Sequence, residues 1–204
     1  MQVLRLLTTL ALACAAHGAT LSTTSSGGLG VIDGGPHLVD IVLADTRTIT
    51  GNFFVSLNSL SHTWIGDLFI TVTHVDTGTT ATVLDRIGVP ARTLGCPANV
   101  SGTYTFADSG VGVLPCSGTD IAPGTYRASG PDDTAVSIAN LFNGQSAAGT
   151  WRLAIGDSFS LGDSGTLGSW TLNLDVADET AVPEPATFSA VALALAASLL
   201  ARRR

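Results

Sequence analysis

The 204-residue chain contains no lysine, and charged residues make up only 12% of it. Lysine and the other straight-chain residues usually fill exposed helix faces. Their scarcity beside 23 glycines argues against a helical bundle and for an all-β chain with tight turns. The middle of the chain also lacks any long apolar run. The mean hydropathy of +0.40 is carried by the two ends, while the body alternates apolar residues with Thr, Ser and Asp. Missing motifs exclude further chemistries. There is no Gly-x-Ser-x-Gly elbow, no His-Glu-x-x-His helix and no Cys/His metal spacing, so neither an α/β-hydrolase nor a zinc protease is indicated. No Asp-x-Asp-x-Asp-Gly calcium loop occurs either.

What is present begins with the ends. "MQVLRLLTTLALACAAHGA" has one arginine, an apolar stretch from Leu6 to about Ala16 and small residues at its close, the layout of a secretory signal peptide over residues 1–19. "LALAC" also offers Cys14 as a lipid-attachment site. If Cys14 leaves with the leader, Cys96 and Cys116 remain in an exported chain, and such thiols are normally oxidised to a pair. One disulfide is expected, stapling a loop-rich stretch, with two buried free thiols as the alternative. Arg5 and Arg202–Arg204 lie in the terminal segments and Glu184 in the tail. The remaining body holds five arginines against fifteen carboxylates, a net charge of −10. That balance disfavours nucleic acid and anionic lipid and suits an extracellular, cation-rich setting.

From Leu38 the body reads as short strands. Phe53, Val55 and Leu57 alternate with Phe54, Ser56 and Asn58; Leu68, Ile70 and Val72 alternate with Phe69, Thr71 and Thr73. This is the period of a half-buried strand. "DTGTT" is a turn and "ATVLDRI" the return strand of a hairpin. Gly88 to Pro131 is rich in Gly, Pro, Ser and Asn and reads mostly as loop, with short β-like pieces such as "GTYTF". Near the end, Trp151, Leu153 and Ile155, then Trp170, Leu172, Leu174 and Val176, form inward faces. The one candidate for a helical turn is "DDTAVSIANLFNG". The expected fold is an all-β, two-sheet antiparallel sandwich of about eight strands.

"SHTWIGDLFITVTHVDTGTTATVLDRIG", "YTFADSG" and "LFNGQSAAGTWRLAIGDSFSLGDSGTLGSWTLNL" carry a resemblance. Their order resembles the His-x-x-x-Gly-Asp-Leu strand, the return strand closing on Arg, the Phe-x-Asp element, the Gly-x-Trp-x-Leu strand and the closing Gly-x-Leu-x-x-Trp-x-Leu strand of the P domain, or P/Homo B domain, of proprotein convertases. It covers residues 27–176. The resemblance implies a jelly-roll sandwich that in its relatives follows and stabilises a subtilisin-like serine protease domain. A subtilisin-type triad needs Asp, His and Ser on an α/β scaffold, and no such scaffold is expected between Met1 and Gly27. A serine-endopeptidase label would describe the domain's usual neighbour.

No catalytic residue is assigned. His62 opens the resembling motif and His74 ends a strand; both are expected to be hydrogen-bonded within the fold. Asp67, Asp108, Asp157 and Asp163 fall at positions matched by the resemblance, beside glycine or at strand ends, where carboxylates and carbonyls could converge on calcium. They are the candidate calcium ligands, the alternative being turn and strand-end hydrogen bonding. Asn99 in "NVS" matches a glycosylation acceptor and is read as fortuitous.

After a linker at 177–181, the tail is "VPEPATFSAVALALAASLLARRR", residues 182–204. Ala186 to Ala201 carries no charge and makes about 24 Å of helix against a hydrocarbon core of ~30 Å. Arg202, Arg203 and Arg204 hold that end in the cytoplasm by the positive-inside rule. Val182, Pro183, Glu184 and Pro185, with the transmembrane helix and the arginines, resemble the PEP-CTERM sorting signal recognised by exosortase, a simple tail anchor being the alternative. The expected route uses signal peptidase and exosortase. An inner-membrane-tethered precursor, its domain on the periplasmic side, moves to the cell envelope or the extracellular polysaccharide matrix. The chain is expected to be a non-catalytic structural or adhesion module, or else an accessory domain for a separate subtilisin-like protease.

Overall fold

A computed structural model describes residues 18–117, 120–159 and 162–178. The stretches read above as a signal peptide, through residue 17, and as a sorting signal, 182–204, lie outside the described residues. The all-β expectation holds, with thirteen strands among the described residues rather than about eight, because several are only two to four residues long. In chain order they are β1 Ala19–Thr24, β2 Leu29–Ile32, β3 His37–Leu43, β4 Ile49–His62, β5 Leu68–His74, β6 Thr79–Asp85, β7 Val100–Phe106, β8 Gly124–Tyr126, β9 Ala128–Ser129, β10 Ala135–Val136, β11 Gly149–Asp157, β12 Gly165–Leu167 and β13 Ser169–Val176.

One sheet runs β1-β13-β4-β12-β2, with β7 on the far side of β4 and β8 beyond it. The second runs β3-β11-β5-β6, and β9 and β10 form a small ribbon. Pairing is antiparallel except at β7–β8, which is parallel. β1 precedes the Gly27 boundary and includes Ala19, assigned above to the leader; it pairs with β13 along its whole length. Its Thr- and Ser-rich sequence is half-exposed at a sheet edge, so it lacks the strong apolar alternation that marks an inner strand.

The inner faces are those the alternation indicates. Phe53, Val55 and Leu57 of β4 and Leu68, Ile70 and Val72 of β5 are buried, as are Trp151 and Trp170. At the centre, Phe53 and Phe142 meet edge to face at 4.7 Å between centroids, and Trp151 stacks on His74 at 4.4 Å. Aromatic pairs in these geometries add to the burial of their area. The Trp170 indole N–H donates to the Val39 carbonyl at 3.1 Å, tying the first sheet to the second.

The helical turn expected near Asp132 is a single 3-10 turn, Pro131–Asp133, with Asp132 itself at φ 60°. Leu141 and Phe142 follow in turns. Ala135 and Val136 between them are extended and paired with β9, so no helical run crosses the segment. Among the described residues no helix is long and apolar enough to cross a membrane.

Candidate functional site

β4 belongs to the first sheet and β11 to the second, and their final residues meet at one end of the sandwich. Strict alternation from Leu57 would turn position 62 outward. A register shift between Leu57 and Leu60, with Ser59 at φ 52°, reverses the phase and buries both Leu60 and His62. Such bulges re-aim side chains. Gly165 on β12 leaves room for the imidazole: a Cβ there would lie 2.5 Å from its Cδ2.

The His62 ring is fully enclosed and serves the fold at both nitrogens. Nδ1 accepts the Trp64 backbone N–H at 3.1 Å. The proton therefore sits on Nε2, which donates to Asp157 Oδ2 at 3.1 Å. Neither side chain is exposed to solvent. Asp157 Oδ1 accepts the Phe159 N–H at 2.7 Å, a strand-end cap. A neutral imidazole thus holds a buried carboxylate in one orientation.

Two more carboxylates face this pair. Asp67 closes the 3-10 turn Ile65–Asp67 between β4 and β5; Arg86, just after β6, donates to its Oδ1 at 3.2 Å and to the Gly66 carbonyl at 3.2 Å. Asp163 lies before β12. One ligand atom each of His62, Asp157 and Asp163 lies within 4.8 Å of the others. At that spacing two carboxylates repel by roughly 3 kcal/mol at an effective dielectric of about 20. Burial raises the Asp67 carboxyl above its ordinary value, and the charges of Asp163 and Asp157 push it further up, against the pull of Arg86. Asp163 Oδ2 is sealed from solvent and has no hydrogen-bond partner.

Asp67 and Asp163 also line a 250 Å³ cavity with Trp64, Leu94, Phe159 and Gly162. Leu94 is 58% and Phe159 52% exposed. The Trp64 indole N–H donates to the Leu94 carbonyl at 2.6 Å. Behind this wall, Gly66 packs backbone to backbone on Gly95 and Cys96, and its N–H donates to the Cys96 carbonyl at 3.0 Å. Cys96 is disulfide-bonded to Cys116, with a Cα–Cα distance of 5.5 Å, so the loop carrying Leu94 is pinned beside the Asp67 turn.

Of the four candidate calcium ligands, the fold brings together Asp67, Asp157 and Asp163. Asp108 serves elsewhere: it accepts from the Ser137 hydroxyl and from the Ile138 N–H at 2.9 Å, fastening the end of β7 to the segment after β10. His74 also faces inward, with Nε2 at 3.1 Å from the Ala148 carbonyl and Nδ1 3.2 Å from Gln145 Oε1. Asn99 is exposed and donates to Asp120. Trp64, Leu94 and Phe159 were not legible as site residues, since they come from three loops with no shared sequence period.

No protein-family model and no curated protein matches the chain. The solved structures that match part of the chain include two from Aeromonas sobria. The crystal structure of the Aeromonas sobria serine protease in complex with its chaperone matches 80% of this chain and 27% of that one, at 19% identity and a TM-score of 0.42. The crystal structure of the serine protease of Aeromonas sobria matches 78% and 26%, at 17% identity and a TM-score of 0.40. This chain spans about a quarter of the length of either.

Proposed function

We propose that this protein is an exported, non-catalytic β-sandwich of the P-domain type, delivered by signal peptidase and exosortase to the cell envelope or polysaccharide matrix as a structural or adhesion module. The observation that carries the non-catalytic reading is the state of His62. Its Nδ1 already accepts a backbone N–H and its Nε2 proton is held by Asp157, both out of solvent. A general base needs a free lone pair within reach of the proton it abstracts, and this ring offers none. The acidic body supports a cation-rich extracellular setting. The tripartite tail supports the sorting route.

A second reading is an accessory domain that binds and stabilises a separate subtilisin-like serine endopeptidase. The motif order supports it, and so do Leu94 and Phe159, which project beside Trp64 at one end of the sandwich. Capture from native envelope with the tagged full chain separates the two readings. Recovery of matrix or envelope material without a protease supports the first, and recovery of a subtilase overturns it in favour of the second. The mass of the mature protein tests the route: a chain retaining residues 182–204 counts against exosortase processing.

A further inference from the structure

The two poles of the sandwich differ. At one, Ala19 of β1 pairs with Val176 of β13, and Val176 with Ile49 of β4, so the described chain enters and leaves side by side. β4 runs from that pole to the other, roughly 40 Å over its 14 residues. The far pole holds the 250 Å³ cavity walled by Trp64, Leu94 and Phe159. Leu94 and Phe159 are each more than half exposed and Trp64 is half-buried. The Trp64 indole N–H is spent on the Leu94 carbonyl at 2.6 Å, which fixes the plane of the ring, and the Cys96–Cys116 disulfide pins the loop behind it. The wall is therefore preformed and loses little conformational freedom when a ligand meets it. Large apolar side chains grouped at the surface and rimmed by polar ones mark a contact site.

We propose that this cavity binds a pyranose ring of a neutral polysaccharide; the inference rests on the matrix reading and names its ligand class. The lining decides the class. Trp64, Leu94 and Phe159 supply an apolar wall, and the polar side chains of the lining are Asp67 and Asp163, whose carboxylates accept hydrogen bonds. A purely apolar guest, such as a leucine or phenylalanine side chain of a partner protein, would cover those carboxylates without giving them a donor, which costs free energy. An anionic guest would be repelled by them and by the acidic body. A pyranose meets both demands: its C–H face lies on the aromatic wall, and the hydroxyl groups at its edge donate. A mostly apolar cavity with a few polar groups that fix orientation is the usual form of a small-ligand site. Its volume is that of roughly eight waters, the scale of one sugar ring. A precursor tethered through its tail would carry this pole away from the membrane and toward the matrix.

Tryptophan fluorescence of the full chain in lipid nanodiscs, titrated with neutral gluco-, manno- and galacto-hexaoses, provides the test. Trp151 and Trp170 are fully buried, so a response reports Trp64. Emission should move to shorter wavelength and saturate with at least one of the three sugars, and the protein should be retained on the matching insoluble polysaccharide. Leu94→Ala and Phe159→Ala alter exposed side chains, so each should melt within about 2 °C of the parent and bind about threefold or more weakly. Trp64→Ala should abolish retention, whereas Trp64→Phe keeps an aromatic wall and should hold affinity within about threefold. A hexauronate should bind about tenfold or more weakly than the neutral sugar, because its charge meets Asp67 and Asp163. Absence of any response at about 10 mM sugar, beyond millimolar affinity, would overturn the proposal, and so would binding unchanged by Trp64→Ala. If the sugars fail while capture from native envelope still recovers matrix material, the pocket assignment falls and the matrix reading stands. Capture of a subtilase through Trp64 and Leu94, with no glycan retained, overturns both.

Discussion

His62 shows how one side chain joins two sheets. Its ring ends β4, its partner Asp157 ends β11, and the bond between them spans 95 positions of sequence. Replacing His62 with Ala leaves a fully buried carboxylate with one donor fewer and an unfilled space. His62→Ala should therefore lower stability by about 3–5 kcal/mol, read as a fall in the denaturant midpoint, and His62→Gln should recover part of it through an amide donor. Asp108 makes a different prediction. Burial works against its charge, but the Ser137 hydroxyl and the Ile138 and Ala139 amides outweigh it and hold the carboxyl below the ordinary 3.8. The folded state then binds fewer protons than the unfolded one, so this contribution is complete above pH 3.8 and is lost as pH falls through the lower folded value. Asp67 has the opposite sign: its raised carboxyl favours the folded state in acid and costs stability once pH passes its folded value. Asp108→Asn should cost about 1 kcal/mol at pH 7 and flatten the acid limb of the stability curve. Asp67 and Asp157 were recognisable as strand-end residues beside glycine. That Asp163 joins them and Asp108 does not depends on how the loops before β12 and after β7 are carried, which no local pattern encodes.

Among the strands, alternation identified the buried faces of β4, β5, β11 and β13 because each has one face in the core and one toward water. It failed at β1 and β2, which are short or half-exposed and offer little contrast between faces. It also mispredicts the phase of β4 past Leu57, since a bulge belongs to the pairing of two strands. The turn Ile65–Asp67 depends on a close approach of backbones. A Cβ on Gly66 would lie 2.1 Å from the Cys96 nitrogen and 2.6 Å from the Gly95 carbonyl carbon, neither of which can rotate away. Gly66→Ala should cost about 3 kcal/mol by overpacking, seen as a drop in the thermal midpoint by circular dichroism. The same substitution should loosen the Asp67 wall of the cavity.

The molecule as a whole rests on a core that continues across both sheets, from Trp151 and Phe53 at the centre to Trp170 beneath β3. The disulfide belongs to its edge, with Cys96 buried in the core and Cys116 packed against it, and closes a loop with a sequence separation of 20. In the chain-entropy account that closure contributes on the order of 3 kcal/mol. Reduction should lower the midpoint by about that amount and leave the far-ultraviolet spectrum of the sandwich in place below the transition; loss of the strand signal on reduction alone would show that the core cannot stand without it.

Composition, period and cysteine number were enough to indicate an all-β body, the inward faces of its longer strands and a strongly acidic balance, and to favour the pairing of Cys96 with Cys116 over two free thiols. These are local or additive properties, so a linear sequence carries them directly. The meeting of His62, Asp67, Asp157 and Asp163 was decided by the tertiary structure. It requires that β4 and β11, in different sheets, end at the same edge of the sandwich, and that a bulge turn His62 inward. Sheet order and register are set by long-range hydrogen bonding and packing, and those forces place a buried carboxylate where its charge must be met.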